Sequence, residues 1–514
     1  MVNNSAANSR IAKNTIFLTI RMLFVLVISL YSSRLVLQVL GVEDFGIYNV
    51  VGGFVSMFGF LNSSMTNSVQ RYYNYALGHD GESSIPNVYA ASLIIQLILA
   101  LIVLIIVESF GLWFLYNKMV IPEPRFHAAF WVFQFSVASM LFVIIQVPYV
   151  SAVMAYERMN FFAIISVIDA ILKLLIVIIL PSLSGDYLIW FGGLFLVISI
   201  FNFLIYYLYS KRKFKGLIWR RVKDKSMYRG MLSFSGWNLF GTFSSMMKEQ
   251  GLNMVLNLFF GPVVNAARGV AYQVINAIRG FTSNIYTAAR PQFTQSYAQG
   301  DGKRTIQLMF STSKLCFILL LILSLPVMIE ADYVLRLWLG ENVPDYTVIF
   351  VILVIVSSLV TVFNPAMSFV VHATGNMKTY QIAGALIDIL ILPTAYIFLR
   401  MGYQPESVFI ISIIFNIIQQ IVSLIIVKRL IYFSIRDYVM TVWLPLGLVV
   451  SIVAALTIGV HSLMSQGFIR LCIVVVVSSL LTIGLSYVIA LSCSERLIFN
   501  NFVNKFLKKG QPIE

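Results

Sequence analysis

The sequence predicts an all-α polytopic membrane protein, and three observations point to that fold class. Of the 514 residues, 59% are hydrophobic and only 11% are charged, a balance that soluble domains do not have. Apolar runs recur along the whole chain, and each is long enough to cross ~30 Å of hydrocarbon. Basic residues concentrate in alternate connecting segments, which is typical of polytopic membrane proteins.

The apolar runs predict about fourteen transmembrane helices. Each run holds the ~20 residues that a helix needs to span the hydrocarbon. In order, the predicted spans are 16–40, 46–69, 87–112, 127–150, 160–181, 187–210, 230–260, 263–290, 311–330, 346–371, 380–400, 405–427, 438–461 and 468–493.

The charges of the connecting segments predict which side of the membrane each segment faces. One set includes the basic run KRKFKGLIWRRVKDKSMYR at 211–229, whereas the other set holds acids such as Asp186 and Asp332. Short loops rich in Lys and Arg stay in the cytoplasm, so both termini are expected there. The same asymmetry accounts for the net charge of +15, so we expect membrane lipids and no nucleic acid beside the basic loops.

The chain resembles itself at an offset of about 220 residues. YALG at 75–78 matches YAQG at 297–300, PYVSAV at 148–153 matches PAMSFV at 365–370, and VIDAIL at 167–172 matches LIDILI at 386–391. Six spans separate the members of each pair, which predicts two parallel six-helix bundles related by a pseudo-twofold axis. The predicted domains are an N-terminal six-helix bundle at 1–210, a cytoplasmic basic linker at 211–229, a C-terminal six-helix bundle at 230–431, and two additional helices with a cytoplasmic tail at 432–514.

No metal site, cofactor or enzymatic centre is predicted. The three cysteines lie far apart in or beside apolar runs, and the four histidines have no spacing typical of ligands. The outer loops are short and hold no His, Asp or Glu constellation, which argues against an enzyme.

The predicted span 263–290 holds three arginines in repeated surroundings: NAARG, NAIRG and TAARP. Arg268, Arg279 and Arg290 are spaced eleven residues apart, which on an α-helix is about 20° past three full turns. They therefore share one face and lie at different depths. The two outer arginines can reach the two interfaces, but Arg279 falls near mid-membrane, where a charge needs a wet cavity or a partner.

Other charges also fall inside predicted spans. Asp169 and Lys173 are spaced to pair on one helix face. Asp388 is the repeat equivalent of Asp169 but has no Lys four residues on, so it is the stronger candidate for a proton-titrating acid. The remaining candidates are Arg34, near the outer end of the first span, and the adjacent Lys248 and Glu249, which point about 100° apart.

The predicted intramembrane charges have a basic excess. The candidate substrate-binding residues are Arg279, Arg268, Arg290, Arg34, Lys248 and Lys173, and the candidate ion-coupling residues are Asp388, Asp169 and Glu249. A cationic cavity favours an anionic substrate, and guanidinium groups bind phosphates bidentately.

A compact N-terminal motif resembles a known family. The stretch RLVLQVLGVEDFGIYN at 34–49, followed by QRYYNYALG at 70–78, is similar to the polysaccharide transport branch of the multidrug/oligosaccharidyl-lipid/polysaccharide (MOP) exporter superfamily, above all to Wzx-type O-antigen and capsule flippases. The resemblance implies a MATE-like fold in the bacterial inner membrane. It also implies a polyprenyl-pyrophosphate-linked oligosaccharide substrate, H⁺ or Na⁺ as coupling ion, and polysaccharide polymerase machinery as a candidate partner.

Three alternatives stay open at this stage. A multidrug exporter or a peptidoglycan lipid-precursor flippase of the same superfamily would share the fold. A membrane-embedded polysaccharide polymerase or acyltransferase is the alternative from a different class, although it lacks the expected constellation of catalytic residues.

Overall fold

A computed structural model describes residues 2–77, 84–156, 158–214, 216–220, 225–374, 376–497 and 500. The side chains of residues 2–21 and of some other helix positions, Arg290 among them, lie outside this description. Within the described ranges the chain is helical and contains no β-strand.

Eleven helical stretches among the described residues are long and apolar enough to cross a membrane, so the predicted all-α, multi-pass fold is confirmed. The predicted count of fourteen is not confirmed. The first predicted span and the first part of the second run together in α1 (Val2–Ser56), whose backbone leaves helical geometry at Gly41, where φ is 78°. The rest of the second predicted span falls largely in α2 (Phe60–Tyr75). Two further helices, α8 (Lys225–Phe260) and α9 (Pro262–Ala298), are long enough to cross a membrane but contain polar residues along their length.

The first of two compact units contains Met1–Gly269, Glu341–Tyr346 and Asp388–Pro405. Within it, α5 packs against α7, α2, α3 and α1. Besides α1, α8 and the start of α9, its helices are α2 (Phe60–Tyr75), α3 (Ile85–Ile106), α4 (Leu112–Asn117), α5 (Phe126–Ala155), α6 (Met159–Ile179), α7 (Tyr187–Lys213) and the end of α14 (Lys378–Arg400).

A three-residue ion cluster ties three elements of this unit together. Arg125, just before α5, donates to both carboxylate oxygens of Asp44 in α1 and to both oxygens of Asp186. Asp186 also caps α7 by accepting from the backbone N–H groups of Leu188 and Ile189. Burial alone would raise the pKa of Asp186, but the hydrogen bonds and charge of Arg125 together with those N–H groups lower it below its usual value.

The second unit contains Val270–Gly340, Thr347–Ile387 and Glu406–Glu514. In it, α12 packs against α15 and α17 packs against α18. Besides the rest of α9 and the start of α14, its helices are α10 (Gly302–Ile329), α11 (Ala331–Leu339), α12 (Thr347–Thr361), α13 (Asn364–Thr374), α15 (Glu406–Ile431), α16 (Ile435–Tyr438), α17 (Leu444–Ser462) and α18 (Phe468–Leu485). The two units are defined by which residues pack together. The domain boundaries predicted from the internal repeat stay a prediction.

Candidate functional site

An ion pair between α8 and α14 lies within the first unit. The Nζ of Lys248 is 2.6 Å from Oδ1 of Asp388, and the hydroxyl of Ser245 donates to Oδ2 at 3.1 Å. The Asp388 side chain is 6% exposed and that of Lys248 is 23% exposed. The carboxylate thus has a cation and a hydroxyl as partners, although it lies in a candidate membrane span. Sequence reasoning gave Asp388 no basic partner because this lysine is distant in the chain.

The predicted pair in α6 is present. Lys173 and Asp169 approach to 2.8 Å, and Asn202 of α7 donates to the other carboxylate oxygen at 2.7 Å. The Lys173 side chain is 42% exposed, and its ammonium lies 5.8 Å from the ring centre of Phe195. This pair is therefore more accessible than the pair of Lys248 and Asp388.

Arg268, in the first turns of α9, is buried in protein. It is 6% exposed, and its guanidinium donates to the backbone carbonyl of Glu249 at 2.6 Å. The adjacent Lys248 and Glu249 act separately here: the lysine side chain contacts α14, whereas the glutamate contributes its carbonyl oxygen.

Three buried asparagine side chains form a network that sequence reasoning missed, and it extends to the backbone carbonyl of a fourth asparagine. Asn265 of α9 donates to the backbone carbonyl and side-chain oxygen of Asn253, and Asn257 donates to the side-chain oxygen of Asn265. Asn253 in turn donates to the carbonyl of Asn49 in α1. The amides satisfy one another without any net charge, which makes the joint between α1, α8 and α9 polar but neutral.

Glycines allow α1 to approach α8 and α9 at this joint. A Cβ on Gly46 would overlap the carbonyl oxygen of Pro262 and lie 2.6 Å from its carbon. A Cβ on Gly269 would lie 2.9 Å from Oδ1 of Asn49. Gly46 belongs to the LGVEDFG motif, so part of that motif serves close helix packing.

Arg279 belongs to the second unit and has a different environment. Its guanidinium donates to the hydroxyl of Ser358 in α12 at 2.8 Å, and its side chain is only partly buried. None of the carboxylates that the structure describes forms a salt bridge with it. About two helical turns further along α9, Tyr286 donates to the carbonyl of Val362, just after α12 ends.

Two predicted basic residues, Arg34 and Arg290, remain to be placed. Arg34 is partly buried in α1. Arg290 lies in α9, but its side chain is outside the described residues. The structure thus brings together Lys248 with Asp388 and Lys173 with Asp169, and it places Arg268 on the backbone of Glu249. The binding and coupling roles of these residues stay predictions.

Comparison with known proteins identifies the fold. No protein-family model and no curated protein matches the chain. Solved structures do match it. The structure of the lipid II flippase MurJ in an inward closed conformation aligns with a TM-score of 0.70 at 15% identity, covering 92% of this chain and 98% of that one.

The chain has the fold of MOP-superfamily transporters. An inward-facing multidrug resistance MATE transporter aligns with a TM-score of 0.64 at 16% identity, over 78% of this chain and 94% of its own. A MOP transporter from Pyrococcus furiosus, described as having a binding pocket of reverse polarity, aligns with a TM-score of 0.59 at 15% identity, over 81% and 95%. At such low identity the likeness concerns the fold, which hosts more than one transport function.

Proposed function

We propose that this protein is a flippase for polyprenyl-pyrophosphate-linked oligosaccharide repeat units. It moves them from the cytoplasmic to the periplasmic leaflet of the bacterial inner membrane by alternating access through a cationic central cavity. The repeat units serve O-antigen, capsule or exopolysaccharide assembly. The transporter fold and the N-terminal motif support this proposal.

The observation that carries the proposal is the environment of Arg279. A charge at this depth is costly unless it meets a partner or a wet cavity. Arg279 has a neutral hydroxyl as its hydrogen-bond partner, and no described carboxylate neutralises it. Its remaining N–H donors match the oxygens of a pyrophosphate, which a guanidinium binds in a bidentate manner.

The paired charges have a different proposed role. Lys248 with Asp388 and Lys173 with Asp169 are neutral pairs, so they add little net attraction for an anion. Protonation of a carboxylate would release its lysine, which links a proton gradient to the charge of the cavity. We therefore propose Asp388 and Asp169 as proton-coupling acids, with Glu249 as a weaker candidate because only its backbone contact is defined.

A peptidoglycan lipid-precursor flippase is the second candidate, and one comparison favours it. The MurJ structure covers 92% of this chain, whereas the MATE structures cover 78–81%. The substrates of both candidate flippases contain a pyrophosphate attached to a polyprenyl lipid, so Arg279 would bind either substrate. The two substrates differ in the group attached to the pyrophosphate. A comparison of the two substrates therefore distinguishes the two functions experimentally.

Arg279→Ala tests the proposal in a binding measurement on purified full-length protein. Two probes are compared: a polyprenyl pyrophosphate carrying a short oligosaccharide, and lipid II, which carries a peptide. We expect Arg279→Ala to weaken binding of the oligosaccharide lipid by about 10-fold to 100-fold, since a charge-assisted hydrogen bond contributes about 1.5–3 kcal/mol. Arg279→Lys should lose less, because the charge remains while the bidentate geometry is lost.

Arg336→Ala is the matched control, because Arg336 is 68% exposed and lies in the short helix α11. It should leave binding unchanged. Equal binding by wild type and Arg279→Ala would contradict the proposed role of Arg279. Tighter binding of lipid II than of the oligosaccharide lipid would favour the second candidate.

A further inference from the structure

The side of α9 that other helices leave uncovered is polar around Arg279. Asn276 and Ser283 are exposed there, and Arg279 is partly buried between them. On an α-helix these three side chains point into one arc of about 60°. The buried residues of the same stretch have a mean direction about 100° away, and they are Ala271, Ile275, Ile278 and Thr282. The helix therefore packs through mainly apolar residues and exposes a polar face.

The exposed face of α18 has the opposite character. Its exposed residues include Val476, Leu480 and Ile483, which are all apolar, as expected for a helix face in contact with lipid. Polar residues inside membrane-spanning helices face the protein interior or a water-filled cavity instead. The exposed face of α9 thus has the composition of a surface in contact with water.

The amide of Asn276 has no hydrogen-bond partner among the described residues. Its two neighbours on this face do have partners, since Arg279 donates to Ser358 and Ser283 donates to the carbonyl of Gly280. A side-chain amide offers one acceptor and two donors. It therefore suits a ligand group that both donates and accepts hydrogen bonds, such as a sugar hydroxyl.

The position of Asn276 relative to Arg279 matches the order of groups in a lipid-linked oligosaccharide. The two residues lie about 4.5 Å apart along the helix axis and about 60° apart around it. In such a lipid the first sugar is bonded directly to the pyrophosphate. A guanidinium that binds the pyrophosphate therefore places that sugar beside the side chains one helical turn away.

We propose that Asn276 binds the sugar attached to the pyrophosphate and so selects the substrate by its first sugar. The inference rests on the proposed function, in which Arg279 binds the pyrophosphate. Arg279 supplies the charge that any polyprenyl pyrophosphate needs, whereas the neutral amide of Asn276 adds no attraction for an anion. A group that hydrogen-bonds a substrate hydroxyl discriminates against a substrate that lacks it, so selection falls to the amide.

Binding of two probes to the purified full-length protein tests the inference. The probes are a polyprenyl pyrophosphate without sugar and the same lipid carrying a short oligosaccharide. Asn276→Ala should weaken binding of the sugar-bearing lipid by about 3-fold to 10-fold, the effect of one neutral hydrogen bond, and leave binding of the sugar-free lipid unchanged. Arg279→Ala should weaken binding of both lipids. Asn276→Gln keeps the amide and should lose less than Asn276→Ala.

Asn376→Ala is the matched control, because it makes the same change at an exposed position between α13 and α14. It should bind both lipids as the wild type does. An equal effect of Asn276→Ala on the two lipids, or no effect on either, would overturn the inference while leaving the role of Arg279 intact. Wild-type binding of both lipids by Arg279→Ala would overturn the proposed function and this inference with it.

Cysteine labelling tests separately whether Asn276 faces water. The exposed native cysteines are first replaced by Cys472→Ser and Cys493→Ser. In permeabilised membranes, Asn276→Cys should react readily with a hydrophilic maleimide, because the reactive thiolate forms in contact with water. Leu480→Cys is the control, since it lies on the apolar exposed face of α18 and should react slowly. Equally slow labelling at both positions would overturn the inference.

Discussion

At the scale of single residues, the charged residues of the predicted spans fall into two groups: those with an oppositely charged partner in the structure, and those without one among the described residues. Lys248 and Asp388 form a buried pair, and the sequence could not show it because the partners lie on α8 and α14. The pair of Asp169 and Lys173 was predictable, because its spacing alone places both groups on one helix face. Arg279 could be singled out by its predicted depth, but its partner Ser358 could not, since helix packing brings the two together.

Removal of one member of the α8–α14 pair should destabilise the protein. Lys248→Met leaves the Asp388 carboxylate buried without its cation, and we expect a loss of about 3–5 kcal/mol in the free energy of unfolding. The double variant Lys248→Met with Asp388→Leu should recover most of that loss, because no buried charge remains. Thermal unfolding in detergent measures both changes.

The same double variant separates stability from coupling. If Asp388 is a proton-coupling acid, the stable double variant should flip substrate in proteoliposomes with a weaker dependence on a pH gradient, since Asp169 remains in place. Asp332→Asn is a control, since Asp332 is exposed in α11 and should leave the gradient dependence intact. An unchanged pH response in the double variant would exclude Asp388 from coupling.

At the scale of elements, the helix ends follow the apolar pattern, whereas the joints between helices depend on small residues and amides. The predicted gap between 40 and 46 coincides with the left-handed φ of Gly41. The break between α12 and α13 has a sequence signal in Pro365, but the pattern alone predicted one continuous span at 346–371. The asparagine network had no signal of comparable strength, because its members become neighbours only when α1, α8 and α9 pack.

Gly46 and Gly52 give a matched test of the joint between α1 and α9. Gly46→Ala forces the two backbones apart, and we expect a loss of at least about 1–3 kcal/mol in the free energy of unfolding. Gly52→Ala, on the same helix, meets nothing within 4 Å and should stabilise by about 0.5–1 kcal/mol. Thermal unfolding of the two variants measures the difference, and equal effects would contradict the close approach at Pro262.

At the scale of the whole molecule, the multi-pass fold could be predicted from composition, and the charge of the loops predicts the orientation. The resemblance to solved transporters supports the fold but leaves the side of each terminus a prediction. Native cysteines offer a way to measure it. Cys316 is buried, Cys472 is exposed on α18, and Cys493 is exposed just after the last span.

Labelling of Cys493 tests the predicted cytoplasmic C-terminal end. In a Cys472→Ser background, a membrane-impermeant maleimide should label Cys493 only after the inner membrane is permeabilised. Gln466→Cys, in the connection between α17 and α18, should be labelled without permeabilisation of that membrane, because an odd number of crossings separates it from Cys493. Labelling of Cys493 in intact inner membranes would reverse the predicted topology.

The division between paired and unneutralised charges has an electrical consequence. Each lysine–aspartate pair sums to zero, so its displacement along the membrane normal requires no work against a transmembrane voltage. Arg279 carries a full elementary charge, and moving it across the whole field would exchange about 2.3 kcal/mol for every 100 mV. Under the proposed function, a bound pyrophosphate would reverse the sign of that moving charge, so the empty and substrate-bound forms of the protein would respond to membrane voltage in opposite directions.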